Sequence, residues 1–116
     1  MPPDANRYAD FTRALKDAVL GPTRGAATAP TLRQAVEARA ASFGGRPGPR
    51  GSVPQELTAF VDRVAQHAYQ VTDDDVRALR KDGYSEQAIF EITASAALGA
   101  GIARLERGLA ALRGPA

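Results

Sequence analysis

The chain of 116 residues contains no cysteine, which excludes disulfides, thiolate metal sites and any reaction that passes through a sulfenic acid. The same absence leaves its redox compartment unmarked. A single histidine is present, with no partner one helical turn away, so no metal site is expected. Phosphate loops, dinucleotide fingerprints and nucleophile elbows are also missing, and no cofactor is expected. Aromatic residues are few, at 6%, so an all-helical chain of this length gains from a partner subunit. The net charge is only +2, with arginines scattered among acids. The one local basic excess, Arg46 and Arg50, falls in a Pro/Gly-rich linker read as solvated, and no nucleic-acid partner is expected. The opening M-P-P-D-A-N-R lacks the basic-then-apolar order of a secretory signal. The longest uncharged run, Ile92 to Ala103, is too short and too rich in small residues to span a bilayer. A soluble cytoplasmic protein with no membrane partner is the expectation.

What is present is helical. Alanine and other helix formers dominate, no alternating β-branched run occurs, and the pattern predicts an all-α chain of about five helices in one domain. Asp4 or Asn6 is placed to cap a first helix with the stripe Tyr8, Phe11, Leu15 and Val19, ended by Gly21-Pro22. Thr31 with Gln34 predicts a capping box for a second helix carrying Leu32, Val36, Ala40 and Phe43, stopped by Gly44-Gly45. Residues 1–45 thus read as an amino-terminal helical pair, 46–52 as a Pro/Gly linker, and 53–113 as the core.

The core carries the clearest stripe: Leu57, Phe60, Val61, Val64, Ala68 and Val71 predict one helix from Pro54 to Val71. Thr72 and Asp75 form a capping box for a short helix over 73–82, and the three acids of D-D-D suit its positive end better than a metal. Gly83 is placed to end it and Ser85 to cap a long helix from Glu86 to about Leu112. The first half of that helix is apolar nearly all round, which predicts burial. Ala96, Gly99, Ala100 and Ala103 give it a small-residue face on which another backbone can close in, and glycines 99, 101 and 108 are candidate kinks.

The stretch V-P-Q-E-L-T-A-F-V…V-T-D-D-D-V-R-A-L-R-K-D-G-Y-S-E-Q-A-I-F-E-I-T-A-S-A-A-L-G-A-G, from Val53 to about Ala100, resembles the alkylhydroperoxidase D-like and carboxymuconolactone decarboxylase-like families. The marks are the E-L helix opening, the A-L-R-x-x-G-Y-S-E turn and the alanine-rich helix after it. The resemblance implies an all-helical fold that assembles as homotrimers or hexamers. Redox-active members resemble one another in a glutamate, eleven residues, then C-x-x-C-x-x-x-H. Counted back from Gly83 without gaps, the glutamate falls on Glu56, the cysteines on Ala68 and Val71, and the histidine on Asp75. Only the glutamate is kept, and a chain without a thiol cannot run that peroxide chemistry.

Three functional readings follow. The first is a non-redox homo-oligomer that binds a small molecule in a helix cleft, with Tyr69, Ala68, Val71 and Asp75 as candidate pocket residues, or that is purely structural. The second, by analogy with the decarboxylases, is an acid–base enzyme acting on a small carboxylic acid or lactone. Glu56 and His67 are then the candidate catalytic residues and must share one cavity. Against these stand plainer roles: Glu56 as a first-turn acid and His67 as a half-buried helix histidine. The third is an interaction module whose amino-terminal helices dock elsewhere.

Overall fold

The computed structural model describes residues 3–48 and 52–114. They form five α-helices, and no strand occurs among the described residues: α1 Pro3–Leu20, α2 Pro30–Phe43, α3 Gln55–His67, α4 Asp73–Lys81 and α5 Glu86–Arg113. The all-α expectation holds. Arg50 lies outside the described residues.

Local signals decide most boundaries. Thr72 accepts from the Asp75 N–H at 3.3 Å while the Asp75 carboxylate takes the Thr72 N–H at 2.9 Å, so the predicted capping box of α4 is formed. Gly83 supplies the left-handed turn after α4 with φ +102°. Ser85 accepts from the Ala88 N–H at 3.1 Å and starts α5 as expected. The Thr72 cap is exposed and two-way, so Thr72→Ala is expected to cost about 1 kcal/mol; a urea titration reads this as a lower midpoint at unchanged slope.

Three boundaries differ. Helix α1 begins at Pro3, ahead of both Asp4 and Asn6. Helix α2 begins at Pro30 with Ala29 in the capping position and no side-chain cap. The fixed φ of proline suits the first helical position and has no N–H to leave unpaired, so the start moves ahead of Thr31 and its capping box does not form. Helix α3 stops at His67 (φ −146°) and continues only as a single 3-10 turn, Ala68–Gln70. Arg104 of α5 donates to the Ala65 carbonyl at 2.8 Å, meeting an orphan acceptor of this last turn from outside.

The core is built on α5. Its inner face, with Ile92, Ser95, Ala96, Gly99, Ala100 and Ala103, is buried. The helix that fills the predicted small-residue face is α2, and these two share the largest interhelical contact of the chain. Val36, Ala40 and Ala41 of α2 are fully buried there. A Cβ at Gly99 would lie 2.2 Å from the Glu37 carbonyl oxygen, and one at Gly44 would lie 2.7 Å from the Ala103 Cβ. Ser95 is buried because its hydroxyl donates back to the Glu91 carbonyl at 2.8 Å. On the other side α3 contributes Leu57, Phe60, Val61, Val64 and Ala65. Helix α5 is assigned without a break through glycines 99, 101 and 108.

By length and composition α5 passes as long and apolar enough to cross a bilayer, a measure its uncharged run alone does not reach. Half of the apolar window is buried inside the protein, and the core helix of a soluble protein meets the same test. The expected burial all round is not met either: Phe90 is 62% exposed.

The linker begins with an anchor. Arg46, expected to be solvated, is half-buried and bonds both carboxylate oxygens of the buried Glu37 at 2.7 and 2.8 Å, with Glu106 of α5 at 3.4 Å. The buried acid explains the difference: without the guanidinium it would lose solvation and gain no partner.

Candidate functional site

The residues singled out in the sequence are spread from the first turn of α3 to the first turn of α4. Glu56, in the first turn of α3, is exposed and accepts from the Tyr84 hydroxyl at 2.8 Å. Its own backbone N–H, and then the Tyr84 hydroxyl, hold its carboxyl below the ordinary range. Tyr84 is pushed up to about 12, by burial first and then by the Glu56 hydrogen bond and charge. This pair staples the α4–α5 turn to the start of α3.

His67 is exposed at the other end of α3. Its Nδ1 lies 3.5 Å from the Tyr69 hydroxyl, with the two rings edge to face at 5.9 Å. Tyr69 is 82% exposed and Ala68 is exposed, while Val71 is half-buried against the core. Asp75 bonds Arg63 at 2.7 Å in addition to its capping role. The Thr72 N–H, and then the guanidinium, lower its pKa. The structure therefore brings Glu56 together with Tyr84 and His67 with Tyr69. It places Glu56 and His67 at opposite ends of α3, and neither lines any of the three concavities described below.

The largest of these three concavities lies elsewhere, between the α1–α2 loop and α5. It encloses about 250 Å³ and is half open, with Ala18, Val19, Phe90 and Ala94 on its apolar walls and Arg24 at its rim. Its floor is a buried charge pair that the sequence reading passed over. Arg33, only 2% exposed, donates through Nε to the Val19 carbonyl at 3.0 Å and through Nη2 to the Gly21 carbonyl at 2.5 Å. Its Nη1 donates to the Thr28 carbonyl and hydroxyl. Gln34 adds a bond to the Leu20 carbonyl at 3.4 Å. The first turn of α2 thus caps the carboxyl end of α1.

Glu91 of α5 meets this assembly from the opposite side. One carboxylate oxygen accepts from the Thr28 hydroxyl at 2.5 Å and the Thr28 N–H at 2.9 Å. The other accepts from the Ala27 N–H and the Gln87 side chain, both at 2.9 Å. Arg33 stands 3.8 Å away. Burial alone would push Glu91 up; the bonds from the Thr28 hydroxyl, the Ala27 N–H, Gln87 and the Thr28 N–H overcome it and bring the group down to about 2. Chemically this floor is saturated: a charge-neutral, fully hydrogen-bonded base under an apolar cleft. A signal for it did exist. Arg33 and Glu37 sit at i, i+3, i+4, i+7 spacing with Val36 and Ala40, and charges inside an apolar stripe call for buried partners.

Two further concavities are smaller. One lies around Gly45, Pro47 and Arg107, and the other between α1 and the end of α5. Among the described residues no three His, Asp or Glu side chains gather as a metal-binding group. Comparison with protein-family models, with curated proteins and with solved structures finds no match to this chain.

Proposed function

We propose that this chain is a non-redox, homo-oligomeric helical protein that binds a small molecule in the cleft over the Arg33–Glu91 pair. The observation that carries the reading is that cleft: apolar walls, a neutral saturated floor and one exposed guanidinium, Arg24, at the rim. Apolar pockets with a few convergent polar groups are the usual form of small-ligand sites. Its chemistry fits a small aromatic or branched carboxylate, with the ring or chain against Phe90 and Ala94 and the carboxylate toward Arg24. The chain offers no thiol, so the ligand is bound and not reduced through cysteine. The likeness of residues 53–100 to alkylhydroperoxidase D-like and carboxymuconolactone decarboxylase-like proteins supports the same reading, including assembly as a trimer or hexamer. The decarboxylase-type alternative depends on Glu56 and His67, and the exposure of both gives it the weaker support.

Benzoate and phenylacetate at millimolar concentration are expected to raise the unfolding midpoint and to show saturation transfer in ligand-observed NMR. Arg24→Ala and Phe90→Ala are expected to remove both signals, and Arg24→Ala to leave the free protein's midpoint within a few degrees, because its side chain is exposed. A flat response across such acids leaves only the structural version of the proposal.

A further inference from the structure

The amino-terminal helix is apolar on a face its own chain does not use. Tyr8, Phe11 and Leu15 fall at i, i+3, i+7 spacing, yet Leu20 is the one buried residue among those described in α1. Phe11 is 64% exposed, and Tyr8 and Leu15 are each more than a third exposed. The carboxyl half of α5 repeats the pattern: Leu112 is 85% exposed and Leu105 more than a third. These two segments lie side by side, because Tyr8, Ala9 and Thr12 line one groove with Leu105, Leu109 and Arg113. They run antiparallel, since Ala18 and Val19 reach Phe90 and Ala94 at the far end.

The groove residues fix which way each helix faces the other. At about 3.6 residues per turn, Phe11 and Leu15 then fall to one side of the seam, and Leu105 and Leu112 fall to that same side. On α5 this side continues as Phe90, Ala97, Gly101, Leu105, Gly108 and Leu112, all exposed and none charged. A Cβ at Gly101 or Gly108 would meet nothing within 4 Å.

The area decides the occupant. Large aromatic side chains present roughly 150–250 Å² each and leucines somewhat less, so the two phenylalanines and three leucines exposed on this face (Phe11, Phe90, Leu15, Leu105 and Leu112) leave on the order of 500 Å² uncovered, toward the upper end for a monomer's largest patch. Interfaces are roughly 56–65% apolar, which scales that patch to about 800 Å² per partner, the size of a standard stable interface. One continuous face serving both partners is the form of a two-fold contact.

We infer that this face binds a second copy of the chain, α1 and α5 of one protomer packing on α1 and α5 of its partner as a four-helix layer. The inference rests on the self-association part of the proposed function and names its surface; it is independent of the ligand. The face ends at Phe90, on the rim of the cleft, so the partner also borders the ligand site.

The test uses the full chain. Light scattering after size exclusion is expected to give about 24 kDa, twice the 12.2 kDa of one chain, or a larger even number of chains such as the hexamer; a trimer overturns the two-fold contact while leaving self-association standing. Phe11→Asp combined with Leu105→Glu is expected to weaken association more than tenfold, with an unchanged far-ultraviolet spectrum. Because the chain has no cysteine, single replacements report contact directly. Ala97→Cys, Gly101→Cys and Leu105→Cys are introduced one at a time, and at least one is expected to form a disulfide-linked dimer under mild oxidation. Gln66→Cys on α3 is expected to form none. An oligomer that survives the double charge variant and shows no cross-link on this face overturns the surface while leaving self-association standing. A wild-type monomer at every concentration overturns both.

Discussion

Replacing Gly99 by alanine is expected to cost about 3 kcal/mol or more, near the top of the overpacking range, because the obstacle is backbone. The added Cβ would sit 2.2 Å from the Glu37 carbonyl oxygen and 3.0 Å from its carbon. No rotamer change relieves such a contact; α2 must move off α5, and Val36, Ala40 and Ala41 move with it. The same substitution two residues on has the opposite sign. Gly101 faces open space, so Gly101→Ala is expected to gain roughly 0.5–1 kcal/mol from helix propensity alone. Thermal unfolding of the two variants, at a concentration where the protein is monomeric, checks both. Gly99→Ala is expected to fall by more than 10 °C at roughly 4 °C per kcal/mol, and Gly101→Ala to rise by a few. Equal shifts would mean that α2 does not approach α5 as closely as described.

The second large effect concerns the floor of the cleft. Arg33→Met is expected to cost about 3–5 kcal/mol, the cost of breaking a buried charged network from one side. It strips the Val19, Gly21 and Thr28 carbonyls of their donor and leaves Glu91 without its cation. Glu91→Gln is milder in shape but reverses one bond: an amide can accept from Thr28 yet turns an N–H toward the Ala27 N–H. The pH dependence separates this site from general acid unfolding. Glu91 is held at about 2 against an ordinary 4.5, a gap corresponding to roughly 3 kcal/mol. Because the folded value is the lower one, that stabilisation is fully present above about pH 4.5 and is lost as pH falls toward 2. Denaturant titrations between pH 6 and 2.5 are expected to show a steep loss for the wild type. Glu91→Gln is expected to start lower and fall less. Parallel curves would remove Glu91 as the cause.

What could be read beforehand follows the range of each interaction. The capping box at Thr72 and Asp75, the Gly83 turn and the Ser85 cap are all written within a few residues, and each stands where the pattern put it. The end of α3 carries no glycine or proline; His67 ends it through backbone turn geometry and a long-range bond from Arg104, so the stripe ran on to Val71 on paper. The small-residue face of α5 was legible as a place for a close helix, while its identity as α2 depends on a pairing across more than fifty residues. Arg33 and Glu91 are separated equally far, and each resembles an ordinary surface charge until the other is placed. Of the candidate residues, Glu56, Ala68, Val71 and Asp75 follow from alignment to a motif whose cysteines this chain does not have, and His67 and Tyr69 from their residue types beside them. In the structure they form caps, staples and exposed turns.

The dependence of α2 on α5 also sets an order of events during synthesis. Val36 and its neighbours leave the ribosome about sixty residues before Ser95 to Ala103, a delay of several seconds at ordinary elongation rates. Through that interval α2 has its apolar side facing water without α5, while Arg33 and Glu37 already have their partners at Val19, Gly21, Thr28 and Arg46. Helices α3 and α4 emerge meanwhile and give it only part of its final shelter. The nascent chain is therefore most open to wrong associations while its second helix waits for its fifth.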